Sequence, residues 1–308
     1  FVSKGLFSEG LFMSYRISFS PKLSARRLLI DFNEPCKRAW NNGDALTSAV
    51  MNAFSMSFPV GEEFFIQTVK DAVPALPNGP SADALRESIK GFIAQESTHR
   101  HIHNQYNKAL ADLGYTNHIE GWVRADINEE RERAERHGTT QLSLLAMVAG
   151  YEHMTSVLSR STILNIDTEA DWLAQADEPH RTMWRWHAAE EVEHRSVAFD
   201  LYYTLGGTLE MRRSFFVKLM RSYSWQMTKQ VVSILRADKQ LFKFQTLRSA
   251  ASFLFGKYGI ISSNWTEFKA YMRPDFHPEN DDAAELALAW LAKNQNQWQP
   301  VGPGANKT

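Results

Sequence analysis

Trp186-His187-Ala188-Ala189-Glu190-Glu191-Val192-Glu193-His194 sets one histidine four residues before a glutamate and another three residues after it. On an α-helix those spacings bring His187, Glu191 and His194 to one face. A second element of this kind, Gln95-Glu96-Ser97-Thr98-His99, pairs Glu96 with His99 in the same way. Each Glu-x-x-His element follows a helical stretch that carries a further glutamate, Glu62 before the first and Glu152 before the second.

Two Glu-x-x-His helices and two single-glutamate helices make up the ligand set of a carboxylate-bridged two-metal site in a four-helix core. The sequence therefore predicts an all-α, ferritin-like four-helix bundle with additional N- and C-terminal helices. Four ionised glutamates would balance two divalent ions while the histidines bind neutral. Glu62 and Glu96 are 34 residues apart (96 − 62), and Glu152 and Glu191 are 39 apart (191 − 152). Each interval suits half a helix, a turn and half of the next, so the ligands of an antiparallel pair meet at mid-height. A lone Glu-x-x-His arises by chance and reads as a solvated surface pair. The order of all four elements, and the expense of burying so many ionisable groups without a cation, favour the metal site.

His187 is read as a third imidazole ligand, with a core histidine bonded to backbone as the alternative. His103, four residues after His99, competes with His187 for the extra ligand role, and is read foremost as lying a turn away and supporting the metal. His153 should point about 100° off from Glu152 and is left out. Gln95 and Glu190 are candidates to hold the free ring nitrogen of a ligating histidine on a neighbouring helix. Tyr106, Tyr151 and Trp186 are read as core aromatics.

Working outward, proline and glycine mark the helix breaks. An apolar stretch from 44 to 73 is interrupted at Pro59-Val60-Gly61. A helix is expected over 82–113, a charged one ending near Gly138, another over 140–164, and one over 181–205 stopped by Gly206-Gly207. No strand-like alternation of useful length is visible. The division expected is an N-terminal extension (1–40), the metal-binding bundle (41–207), a C-terminal helical region packed on it (208–295) and a flexible tail (296–308). Between Thr208 and Lys257 ten basic residues face only Glu210 and Asp238. Interleaved with Phe215, Phe216, Leu219, Trp225 and Leu235, they read as helices whose basic side chains snorkel around an ordinary core, or as a basic surface for an acidic substrate or membrane.

Net charge −1 and a pI near 6.9 give no general attraction to nucleic acid or anionic lipid. The single cysteine, Cys36, excludes an internal disulfide framework. No apolar run approaches the roughly 20 residues needed to span a bilayer. The residues before Met13 lack the pattern of a secretory signal, and a cytoplasmic protein is expected.

Four stretches resemble those of a bacterial family of predicted metal-dependent hydrolases: Phe58-Pro59-Val60-Gly61-Glu62, Gln95 to His99 with His103 and Asn107, Tyr151-Glu152-His153-Met154-Thr155, and Trp186 to His194. The likeness spans roughly residues 40 to 290 and favours Glu62 over its neighbour Glu63. The ligand pattern also resembles that of ferritin-like di-iron N-oxygenases of aryl amines. That pattern falls here on Glu62, Glu96, His99, Glu152, His187, Glu191 and His194. What these resemblances imply is an enzyme with two divalent metal ions, iron foremost and manganese or zinc as alternatives. Oxygen-dependent oxidation of a small organic substrate is the leading expectation, metal-dependent hydrolysis the alternative, and metal storage a third. A small-molecule substrate, an electron-donor protein and a homodimer are the expected partners.

Overall fold

The computed structural model describes residues 23–32, 36–279 and 283–301. Its helices are α1 (Ala45–Ala72), α2 (Pro80–Asp112), α3 (Ile119–His137), α4 (Thr140–Leu164), α5 (His180–His194), α6 (Val197–Thr204), α7 (Leu209–Ala237), α8 (Phe244–Phe255), α9 (Ile260–Ala270) and α10 (Ala283–Lys293). Two three-residue strands, β1 (Arg26–Leu28) and β2 (Trp298–Pro300), pair antiparallel. The fold is an all-α bundle. Among the described residues no helix is long and apolar enough to cross a membrane.

Helix ends follow local chemistry. The Asp44 carboxylate accepts the Thr47 amide at 2.8 Å and starts α1. Pro80 opens α2, where its missing N–H is no loss. Gly138, at φ +64°, takes the left-handed turn that closes α3. In the bundle, α1 lies against α2, α3, α4 and α7. Helix α4 is enclosed by α1, α3, α5, α6 and α7, and it is accordingly buried along most of its length rather than on one stripe.

Three features depart from the sequence reading. The break expected at Pro59-Val60-Gly61 is absent, since α1 runs through it. Pro59 cannot donate to the Ser55 carbonyl, but the Asn107 side-chain amide on α2 does so at 2.9 Å, so the carbonyl is satisfied and the helix continues. The helix expected over 181–205 is two, α5 and α6. At the joint the Arg195 guanidinium donates to the carbonyls of Val192 and Pro278, and Ser196 Oγ donates to Glu279, so side chains replace helical bonding.

The tail expected from 296 carries β2, and residues 302–308 lie outside the described ones. Trp298 anchors this strand: its indole donates to the Leu291 carbonyl at 3.1 Å and its ring lies 5.2 Å from the Arg26 guanidinium. Three-residue strands are too short to leave an alternation in sequence. Phe215, Phe216, Leu219 and Leu235 of α7 are buried core residues, as the snorkelling alternative has it, and only Trp225 of that group is exposed. Arg212 is itself fully buried, among the rings of Phe199, Tyr203, Tyr271 and Phe276.

Candidate metal centre

Glu62 on α1, Glu96 and His99 on α2, Glu152 on α4, and His187, Glu191 and His194 on α5 all point into one region of the bundle, and every one is buried. His194 Nε2 lies 3.1 Å from Glu96 Oε1, 3.4 Å from Glu152 Oε2 and 3.5 Å from Glu191 Oε2. Glu191 Oε1 lies 3.2 Å from His187 Nε2 and 3.6 Å from His99 Nδ1. Ligand-capable atoms fall into triads within 4.8 Å of one another. Two of these share no residue: Glu96, Glu152 and His194; and His99, His187 and Glu191. Glu62 joins Glu96 and His99 in a third, and His103 and His187 in a fourth. Glu63, by contrast, is half-exposed and pairs with Arg100 and Arg124.

The far side of each imidazole is braced. His99 Nε2 is 3.0 Å from Glu190 Oε2, and His194 Nδ1 is 3.1 Å from Gln95 Oε1. The bracing is reciprocal, because α5 supplies the acceptor for the α2 histidine and α2 supplies the acceptor for the α5 histidine. His187 Nδ1 meets His103 Nε2 at 3.0 Å, and His103 Nδ1 meets Ser55 Oγ at 2.9 Å. Ser55 Oγ in turn donates to Asn107 Oδ1 at 2.8 Å. With each outer nitrogen acting as donor, the lone pairs of His99 Nδ1, His187 Nε2 and His194 Nε2 face inward. Phe58 stacks on the His187 ring at 4.9 Å, while Trp186 and Phe92 meet His99 and His194 edge-on. His153 lies elsewhere, stacked on Tyr271 at 4.4 Å, and Tyr106, Tyr151 and Trp186 are core aromatics.

Sequence reading missed Arg26. It donates to Glu190 at 3.0 Å and to both oxygens of Glu193, at 2.6 and 3.1 Å. Gln95 Nε2 donates to the same Glu193 at 2.9 Å. Arg26 thus stands behind both braced histidines, one through Glu190 and the other through Glu193 and Gln95. Residue Leu23 reaches α2 at Gly91, where a Cβ would come within 2.4 Å of the Leu23 Cβ. Thr155 also contributes, donating to Glu191 Oε2 at 2.6 Å.

Burial pushes the carboxyls of Glu62, Glu96 and Glu152 well above the usual carboxylate range, and neighbouring glutamates add to the effect. Glu190 is pushed up to about 8 by burial, against the pull of Arg26. Burial presses upward on Glu191 too, but the imidazoles of His194, His187 and His99, when they turn N–H toward it, outweigh burial and hold its carboxyl well below the usual range. His187 is lowered to about 4 by burial and by His99.

Nine inward atoms of this cluster are buried without a hydrogen-bond partner among the described residues: both oxygens of Glu62, Glu96 and Glu152, and one nitrogen each of His99, His187 and His194. The close His194–carboxylate approaches do not have hydrogen-bond geometry. Buried polar atoms are ordinarily satisfied. Carboxylate oxygens and imidazole nitrogens converging in this way are the donor set of a divalent metal. The residues present fit such an ion. Beside them a chamber of about 20 Å³, bordered by Glu62, Glu96, His187, Glu191, Phe58 and Thr155, has the space of about one water.

A model of the predicted metal-dependent hydrolase family matches residues 24–282. The chain belongs to that family. The match takes in β1 with Arg26 as well as all seven clustered residues. No match is found among curated proteins or among solved structures.

Proposed function

We propose that this family member is an enzyme working through two divalent metal ions held by Glu62, Glu96, His99, Glu152, His187, Glu191 and His194. The observation that carries the reading is the set of nine buried donor atoms without a hydrogen-bond partner among the described residues, arranged so that two triads share no residue. Hydrolysis is the chemistry the family description favours. Bound metals would supply Lewis acidity toward water and toward a carbonyl or phosphoryl oxygen. The chain's own part is to hold the imidazoles in one tautomer through Glu190, Gln95 and His103, to keep Glu191 ionised, and to exclude bulk water with Phe58, Phe92 and Trp186. Thr155 fixes one oxygen of Glu191 and leaves the other for a metal.

Oxygen-dependent oxidation is the second reading. It is favoured by the match of all seven positions to the ligand pattern of di-iron N-oxygenases, and by a site enclosed in helices. Iron, manganese and zinc all suit imidazole and carboxylate donors. The lone Cys36 accords with a reducing compartment such as the cytoplasm. An electron-donor protein belongs to the oxidative reading alone.

One experiment separates the readings. Protein purified without chelator is analysed for metal per chain, then loaded separately with Fe(II), Mn(II) and Zn(II) under anaerobic conditions. Each form is assayed against ester, amide and phosphoester panels, and the Fe(II) form is followed for oxygen uptake. Two metals per chain with hydrolysis supports the first reading; stoichiometric oxygen uptake without hydrolysis supports the second. Absence of stoichiometric metal overturns both.

A further inference from the structure

A larger cavity, of about 180 Å³, opens between the bundle and the C-terminal helices. Met51 and Phe54 of α1, Leu158 of α4, Trp184 of α5, Phe253 of α8 and Ile260 of α9 form much of its wall. It shares Phe58, Thr155 and His187 with the small chamber on the metal centre. That trio is the partition between the two spaces: His187 is a member of the ligand cluster, Thr155 is bonded to Glu191, and Phe58 is stacked on His187.

The wall has a distinct chemistry. None of its lining residues is Asp, Glu, Lys or Arg. Several polar side chains there turn back onto their own helices. Thr162 donates to the Leu158 carbonyl, Asn165 to Ser161, Ser263 to Gly259 and Asn264 to Ile260. The indole N–H of Trp184, a buried residue, has no acceptor among the described residues. A charged group placed here would lose its water and gain no counter-charge. An apolar group loses nothing of the kind, and apolar cavities near this size hold a single ring or its equivalent.

We propose that this cavity binds the substrate of the metal centre, and that the part it binds is uncharged and apolar, with the bulk of one ring or a short alkyl chain and one acceptor for the Trp184 indole. The inference rests on the metal-centre reading above and names the substrate class for it. It disfavours nucleotides, phosphosugars and free amino acids, whose charged groups find no partner in this wall.

The test uses 1-hexanol, hexanoate and hexylammonium as probes of equal chain length, titrated by calorimetry into the metal-free and the Zn(II)-loaded protein. Hexanol is expected to bind at least tenfold more tightly than either ion. Its proton resonances are expected to broaden in the Mn(II)-loaded protein and not in the Zn(II)-loaded protein, because the cavity abuts the centre. Ile260→Trp, which fills the cavity from a peripheral helix, should weaken hexanol at least tenfold with metal stoichiometry unchanged. Phe253→Ala should shift the preferred alcohol from hexanol toward octanol, and serves as the second variant should Ile260→Trp fail to fold. Equal binding of hexanol and hexanoate, or no selective broadening in a metal-loaded protein, overturns this inference. Failure to load metal overturns the metal-centre reading instead, and the alcohol-against-ion comparison in metal-free protein still decides the character of the cavity.

Discussion

Arg26→Met is the substitution that most directly tests how the centre is held. Arg26 is 7% exposed and its three hydrogen bonds to Glu190 and Glu193 are charge-assisted. Removing one partner of a buried ion pair costs about 3–5 kcal/mol, because the other charge is left without compensation. At pH 7 the lower end applies. Glu190, raised to about 8, escapes by keeping a proton, which leaves chiefly Glu193 exposed to the loss. At pH 9 the native chain has ionised Glu190 beside Arg26, the variant cannot do so cheaply, and the loss moves to the upper end. Metal affinity should fall about 10- to 100-fold, since the acceptors of His99 and His194 both lose their anchor. Arg26→Lys should recover part of each effect, as one ammonium keeps the charge but lacks the fork that spans both carboxylates. Urea unfolding of metal-free protein at the two pH values, with metal competition titrations, provides the readout. A loss below about 1 kcal/mol at both pH values, with unchanged metal affinity, would refute the bracing role.

Three further outcomes are expected. Metal-free protein should lose stability as pH rises from 6.5 to 8.5: native Glu62, Glu96, Glu152 and Glu190 keep protons that the unfolded chain releases above about 4.5, so the unfolded state binds fewer protons and stability falls with pH. The lowered histidines, His187 and His180 at about 4 and His153 at about 3, act in the opposite sense but only up to the ordinary value of 6.5. For Glu190 alone the 1.5 pH units from 6.5 to 8 amount to about 2 kcal/mol, so a denaturation midpoint that holds or rises over this range contradicts the reading. Asn107→Leu should destabilise by about 1–3 kcal/mol, because the Ser55 carbonyl beside Pro59 loses its donor; an unchanged melting temperature would show that α1 tolerates Pro59 by other means. Glu62→Leu should raise the stability of metal-free protein by about 1–3 kcal/mol while lowering metal per chain, and a variant that is less stable would mean that Glu62 is compensated in the native fold.

Much of the clustering at the candidate site was legible because its spacings are local. Glu96 with His99, and His187 with Glu191 and His194, are set by helical periodicity alone, and the adjoining Gln95 and Glu190 fall on the side from which they can reach the opposite helix. The end of α3 was legible for the same reason, at Gly138. What was hidden depends on residues far apart in the chain. Pro59 reads as a break until Asn107, 48 residues on (107 − 59), is seen to serve the carbonyl it frees. Arg26 sits on a strand of three residues whose partner is Trp298–Pro300, so neither periodicity nor motif spacing could connect it to Glu190. The joint at Arg195-Ser196 is set by bonds to Pro278 and Glu279, and nothing in the local sequence marks it.

The pairing of β1 with β2 has a consequence for the order in which the molecule matures. All seven clustered residues have been synthesised once the ribosome passes His194, but Trp298 comes 104 residues later (298 − 194). A nascent chain can gather its four ligand helices well before the strand that backs Arg26 exists. Until β2 pairs with β1, the Arg26 guanidinium lacks the Trp298 ring that lies 5.2 Å from it, and the brace on Glu190 and Glu193 is incomplete. Pairing of β2 with β1 is thus the step at which Arg26 acquires its indole neighbour Trp298, a contact between residues 272 apart in sequence (298 − 26).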